Sequence, residues 1–208
     1  MSQGALFTDR GLRQLRRLLG TLAHPVALEV SGPAGDPFVA QFEAVAAAFC
    51  RAAGPVLGWH RGGTDGWPRL RLLDEAGRPY GIGFAGSVAG YQLQGLVAGI
   101  RAAAAQQGGG ELSEWALVVF TAPTCPHCPR LVVAAQAWIL ASPSPPLCTW
   151  AVDAGAIPAW AERAGVTWVP ATALERGAQV VAVIDQPLPI DAWRNRLEAE
   201  IAKQEGGR

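Results

Sequence analysis

Charge of neither sign is in excess: 17 Lys and Arg stand against 17 Asp and Glu, so the 208-residue chain has a formal net charge of zero. A nucleic-acid partner would ordinarily show as a basic surplus, and there is none. No apolar stretch approaches the roughly 18 residues of a membrane-crossing helix. The N-terminus has no apolar core followed by a small-residue cleavage site, so no signal peptide is expected. Cysteine is scarce, and four in a chain of this size do not make a disulfide scaffold. These absences point to a cytoplasmic protein with neither a nucleic-acid nor a membrane partner. Half of the residues are apolar, enough for one large domain or two small ones. The local cluster Arg10, Arg13, Arg16 and Arg17 shares its segment with Leu12, Leu15, Leu18, Leu19 and Leu22 at helical spacing. It reads as the solvated face of an amphipathic helix.

Two of the four cysteines are close neighbours. Residues 119–129 read Val-Phe-Thr-Ala-Pro-Thr-Cys-Pro-His-Cys-Pro, which puts Cys125 and Cys128 three apart. They follow the apolar run Ala116-Leu117-Val118-Val119-Phe120 and precede an apolar segment from Leu131 to Leu140 that is long enough for a helix. The pair therefore lies where a strand ends and a helix begins. The first N–H groups of a helix have no intrahelical partner, and its dipole is positive there, so a thiolate at that spot is stabilised. Pro126 suits a first helical position, and a protonated His127 adds positive charge. Such a pair beside a βαβ pattern reads as a redox motif. A structural zinc would need two further ligands. The candidates Cys50, Cys148, His24 and His60 are isolated in sequence, so no metal site is assigned.

Read in order, Met1 to Leu22 looks like a leader plus an amphipathic helix, and Pro25 to Val30 like a strand. Asp36-Pro37 starts a helix over Phe38 to Ala53. Val56 to His60 is a short strand. Arg69 to Leu73 and Tyr80 to Phe84 flank a turn at Glu75-Ala76-Gly77-Arg78, and Tyr91 to Ala105 is helical. Gln106 to Gly110, with three glycines in a row, is the linker candidate and divides the chain into units 1–108 and 109–208. The second unit repeats the scheme: strand Trp115 to Thr121, helix Pro126 to Leu140, loop Ser142 to Pro146, strand Cys148 to Val152, short helix Ile157 to Ala164. Strands Ala171 to Leu174 and Val180 to Ile184 then flank a turn at Glu175-Arg176-Gly177, and a closing helix from Asp191 to Ala202 has Asp191 placed to cap it. Laying Val118–Pro123 over Leu28–Pro33 puts Gly35 opposite Cys125 and Phe38 opposite Cys128. Trp67-Pro68 then matches Val169-Pro170 in role. The first unit is about a dozen residues shorter between these points, which corresponds to the short helix.

Strand, Cys-x-x-Cys, helix, strand, helix, proline-led hairpin and last helix is the order of the thioredoxin fold. The tandem arrangement has Cys-Pro-His-Cys in the second unit, and Gly81-Ile82-Gly83-Phe84-Ala85-Gly86-Ser87-Val88-Ala89-Gly90-Tyr91 closes the first. It resembles the glutaredoxin-like protein disulfide oxidoreductases. It is also similar to the N-terminal domain of the flavoprotein subunit of alkyl hydroperoxide reductase, whose first unit likewise lacks a cysteine pair. The resemblance covers nearly the whole chain. It implies an α/β fold of two tandem thioredoxin-like units, with central mixed β-sheets flanked by helices.

It further implies a thiol–disulfide oxidoreductase in which Cys125 attacks and Cys128 resolves the mixed disulfide. His127 would tune the Cys125 thiolate electrostatically. Val169-Pro170 aligns with the family's cis-proline loop, which faces the cysteines and offers backbone hydrogen bonds to substrate. Thr124 and Pro126 are expected beside it on the substrate face. No cofactor is implied beyond the redox-active disulfide. The implied partners are disulfide-containing proteins or small thiols, with a reductase or peroxidase as a further partner. Because no flavin domain accompanies these units, electrons are expected from a separate protein or small thiol.

Members with two sites carry a cysteine pair in each unit, whereas this chain carries one. Thioredoxins place an acid six residues ahead of the first cysteine, where Val119 stands here. Cys-Pro-His-Cys is also the tetrapeptide of the periplasmic disulfide-forming oxidase, so a pair more oxidising than that of thioredoxin is expected. Two other readings stay open at this point: a docking module for a peroxidase or flavin reductase, without turnover, and a thiolate metal-binding protein. Cys50 and Cys148 read as small buried hydrophobes. His24 and His60 receive no role.

Overall fold

The structure is a computed structural model and describes residues 8–110, 113–141, 147–177 and 179–206. The elements in chain order are α1 (Asp9–Leu19), β1 (Val26–Ser31), α2 (Pro37–Ala53), β2 (Leu57–Arg61), β3 (Arg69–Leu73), β4 (Pro79–Ala85) and α3 (Gln92–Ala104). They continue as β5 (Trp115–Thr121), α4 (Cys128–Ala141), β6 (Leu147–Asp153), α5 (Pro158–Arg163), β7 (Ala171–Arg176), β8 (Gln179–Ile184) and α6 (Ile190–Gly206).

Local chemistry explains the helix that opens the first unit's βαβ. The Asp36 carboxylate accepts from the N–H groups of Phe38 at 2.7 Å and Val39 at 3.2 Å, which satisfies two orphan donors. Pro37 stands at the first helical position, where its missing N–H costs nothing. Val39, Phe42, Val45, Ala46 and Phe49 then fall on one buried face. Gly54, at φ 78°, ends the helix in a conformation that side chains resist.

All eight strands form one sheet in the order β2-β1-β3-β4-β6-β5-β7-β8. Each group of four is wired identically. Its first strand pairs parallel with the second and antiparallel with the third, and the third pairs antiparallel with the fourth. The internal repeat is thus a repeat of topology, and Ser31 and Thr121 end corresponding strands as the sequence register expects. The units join edge to edge through β4 and β6, parallel, with residues 82–85 beside 149–152. A single continuous sheet therefore stands where two were expected.

One cluster of buried apolar side chains, from Leu15 and Phe42 through Leu117 and Val132 to Trp193 and Ile201, lies under α1 to α4 and α6 and runs across both units. A smaller cluster on the other face, around Val118, Phe120 and Val152, is covered by α5 through Ile157 and Ala161. The first unit has no helix between β2 and β3, as its shorter length implies. Its bare sheet face carries ionic pairs instead, with Arg71 2.6 Å from Glu29.

Several boundaries differ from expectation. α4 begins at Cys128 rather than Pro126, because residues 125–127 turn before the helix; Pro129, not Pro126, is the proline inside its first turn. Asp191 lies within the first turn of α6 rather than capping it, a place where its charge still suits the dipole. Glu175 and Arg176 extend β7 instead of turning, since they pair with Val180 and Gln179. The expected loop from Ser142 to Pro146 and the first residues of the leader lie outside the described residues.

Candidate redox site

Strand β5 positions the site. It is hydrogen-bonded on both sides, to β6 and β7, and its residues are almost all buried, so it is anchored along its full length. Past Thr121 the chain turns, and the Cys125 N–H donates to the Ala122 carbonyl at 3.1 Å. Cys125 and Cys128 are joined in a disulfide, with their Cα atoms 5.6 Å apart. The Cys128 N–H, first in α4, points at Cys125 Sγ from 3.1 Å. It is one of the helix donors without an intrahelical partner, so a thiolate at Cys125 meets both a donor and the positive end of the helix. Cys125 is 8% exposed and Cys128 1%, so of two buried half-cystines Cys125 lies nearer the surface.

Thr124, Pro126 and His127 are exposed around the disulfide. The Val169–Pro170 peptide bond is cis, whereas that of its counterpart Trp67-Pro68 is not. Val169 and Pro170 are half-buried. Pro170 and His127 line the same cavity of about 200 Å³, so the proline loop and the cysteine turn face each other. Trp168, on that loop, is 58% exposed.

The first unit contributes residues that the sequence reading missed. Tyr91 donates its N–H to the Pro123 carbonyl at 3.0 Å. Gly90, at φ 55°, packs so tightly on Pro123 that a Cβ would collide with that carbonyl. Gln92 donates from Nε2 to Thr121 Oγ1 at 2.7 Å, and Thr121 donates in turn to the Val152 carbonyl at 3.0 Å. Ser87 donates to the Asp153 carboxylate. Ser87, Gln92, Thr121 and Asp153 are all buried, and they bind the start of α3 to the ends of β5 and β6. The signal was present in the run from Gly81 to Tyr91, whose glycines mark a close approach of backbones rather than a loose loop.

Burial pushes the Cys50 thiol up to about 11 against the opposing charge of Arg51, and burial likewise raises Cys148. A thiol raised in this way yields its thiolate less readily than a free one. Among the described residues no three His, Cys, Asp or Glu side chains converge to hold a metal ion, and no helix is long and apolar enough to cross a membrane. A larger groove of about 650 Å³ lies between α1, α3 and α4, lined by residues such as Leu18, Val97 and Val133, and does not include the cysteines.

Neither a family model nor a curated protein matches this sequence. Solved structures do match. The alkylhydroperoxide reductase AhpF from Enterococcus faecalis superposes with a TM-score of 0.75 at 21% identity, over 92% of this chain and 99% of that one. The NTD_N/C domain of the same reductase gives 0.72 at 21% identity, over 89% and 96%. A protein disulfide oxidoreductase from Aeropyrum pernix gives 0.67 at 21% identity, over 84% and 85%. The chain has the tandem thioredoxin-like fold. Within that fold the Cys125–Cys128 disulfide sits in the second unit, and the first unit meets the strand end and turn before it through Gly90, Tyr91 and Gln92.

Proposed function

We propose that this protein is a thiol–disulfide oxidoreductase working through Cys125 and Cys128. The observation that carries the reading is the Cys125–Cys128 disulfide at the start of α4, with the Cys125 Sγ facing the helix N–H. In the reducing direction, the Cys125 thiolate attacks one sulfur of a substrate disulfide and expels the other as a thiolate. Cys128, deprotonated, then attacks Cys125 Sγ and releases the second substrate thiol. The protein gains one disulfide and the substrate two thiols, a transfer of two electrons and two protons. Run backwards, the same steps oxidise a dithiol.

Thr124, Pro126 and His127 border the attacked bond, and an extended substrate segment would pair with the backbone at Val169 and Pro170. The likeness to an alkylhydroperoxide reductase supports a peroxidase-linked partner. Reduction of insulin by the protein in the presence of dithiothreitol tests the reading. Turnover above the rate of the thiol alone, lost on replacing Cys125 by Ser, is the expected result. Turnover equal to the thiol alone would sink it.

A further inference from the structure

The cavity beside the cysteines is not a generic cleft. At about 200 Å³ it lies below the roughly 300 Å³ at which small-molecule sites begin, and has room for a single side chain. Its walls include Leu131, Ile184, Leu188, Ile190 and Trp193. Ile184 and Trp193 are 3% and 2% exposed, so the floor is rigid core. Trp193 Nε1 donates to Thr172 Oγ1 at 3.1 Å, and its ring packs edge-on against Trp138 at 5.8 Å. Arg130 is a charged side chain on the lining; His127 also borders the cavity, and among the described residues no carboxylate does. Asp185 and Asp191 adjoin lining residues in sequence, but they are exposed and do not line it. Arg130 is exposed, and its guanidinium makes no ion pair or hydrogen bond with any described residue.

A polypeptide laid along the backbone at Pro170 would project alternate side chains to one face, and one near its cysteine would meet this cavity. We infer that the cavity is a specificity pocket for polypeptide disulfides. It receives an apolar side chain close to the substrate cysteine, and Arg130 selects chains with a carboxylate next to that side chain. The inference rests on the thiol–disulfide reading above.

The test uses the full-length reduced protein and peptides with one cysteine capped as a 2-thiopyridyl disulfide, whose release is read by absorbance. One peptide carries Leu-Glu beside the cysteine, a second Leu-Lys and a third Ala-Glu. The Leu-Glu peptide is expected to react roughly fivefold faster than the Leu-Lys peptide, the scale of an exposed charge pair, with the ratio shrinking as salt is added. Arg130→Gln should bring that ratio to one and Arg130→Lys should keep it. A ratio between two peptides cancels any change in the nucleophile itself. The Ala-Glu peptide should react more slowly than Leu-Glu in every variant.

Equal rates for Leu-Glu and Leu-Lys, or a preference that survives Arg130→Gln, would overturn the role of Arg130. An Ala-Glu peptide as fast as Leu-Glu would overturn the apolar pocket. A glutathione 2-thiopyridyl disulfide reacting faster than Leu-Glu would assign the site to a small thiol and overturn the polypeptide assignment. Release no faster than from Cys125→Ser for any probe would remove the redox reading itself, and the pocket with it.

Discussion

Tyr91 donates its backbone N–H to the carbonyl of Pro123, two residues ahead of Cys125, at 3.0 Å. The donor belongs to the unit without redox cysteines and the acceptor to the turn that presents them. The first unit is therefore part of the site's frame, and Gly90 is where that frame is tightest.

Replacing Gly90 by Ala should damage both stability and turnover. The position combines a positive φ with contact against the Pro123 carbonyl, so strain of roughly 1–3 kcal/mol is expected. At this chain length each 1 kcal/mol lowers Tm by roughly 2–4 °C. Calorimetry and the insulin assay on one preparation check this; an unchanged Tm would mean that the contact is not tight.

The two cysteines should fail differently. Cys125→Ser removes the attacking sulfur and should abolish disulfide reduction. Cys128→Ser leaves an attacking thiol with nothing to resolve it, so mixed disulfides should accumulate and appear as mass adducts. Adducts on Cys125→Ser instead would reverse the assignment.

The pair is expected to be more oxidising than that of thioredoxin, with a potential between roughly −270 and −120 mV. The helix N–H facing Cys125 favours the thiolate, as would a positive charge on His127, and a stabilised thiolate weakens the disulfide. His127→Pro should shift the potential to more reducing values. Equilibration in glutathione buffers with alkylation of the thiols measures both, and a wild-type potential at or below roughly −270 mV contradicts the expectation.

Acid should loosen the linker between the units. Burial pushes the Asp74 carboxyl up, but the N–H groups of Gly109 and Arg78 and the Arg78 guanidinium outweigh it and hold the pKa at about 2. A depressed folded-state pKa stabilises the protein above the unfolded value of about 4, and that contribution fades as pH falls towards about 2. Asp74→Asn should therefore be less stable than wild type at pH 6, with the gap closing across that window. Urea midpoints at pH 6, 3.5 and 2 read it directly; a gap constant with pH would exclude the mechanism.

A chain starting at Gly110 should not fold cooperatively. It would uncover the β4-facing edge of β6 and the side of α4 on which Val132 and Gln136 meet Gly95 and Gly99. A circular dichroism melt as sharp as that of the full chain would show that the shared core is dispensable.

The order of elements was legible because periodicity and punctuation are local: Asp36-Pro37 starts α2, and Val118 to Phe120 reads as a buried strand wherever it is placed. The cysteine pair was legible for the same reason, since both residues lie in one turn. The seam was not. Nothing in residues 82–85 or 149–152 states that those two stretches pair, because parallel pairing is decided by how whole units pack. The contacts of Gly90 and Gln92 were not legible, because their partners, Pro123 and Thr121, are about thirty residues away and become neighbours only after that packing. Nothing local marks Arg130 either, since its place beside a cavity lined by no carboxylate arises only in the fold.

The pairing of β4 with β6 places the junction between units at the middle of the sheet, with β2 and β8 as its rims. Hinges form where few backbone hydrogen bonds must break, and here a hinge would have to break the central ones. Amide exchange should thus be slowest at the join and fastest at the two outer strands. When the molecule breathes it should fray from its margins, and the turn bearing Cys125 should stay fixed to the part that opens last.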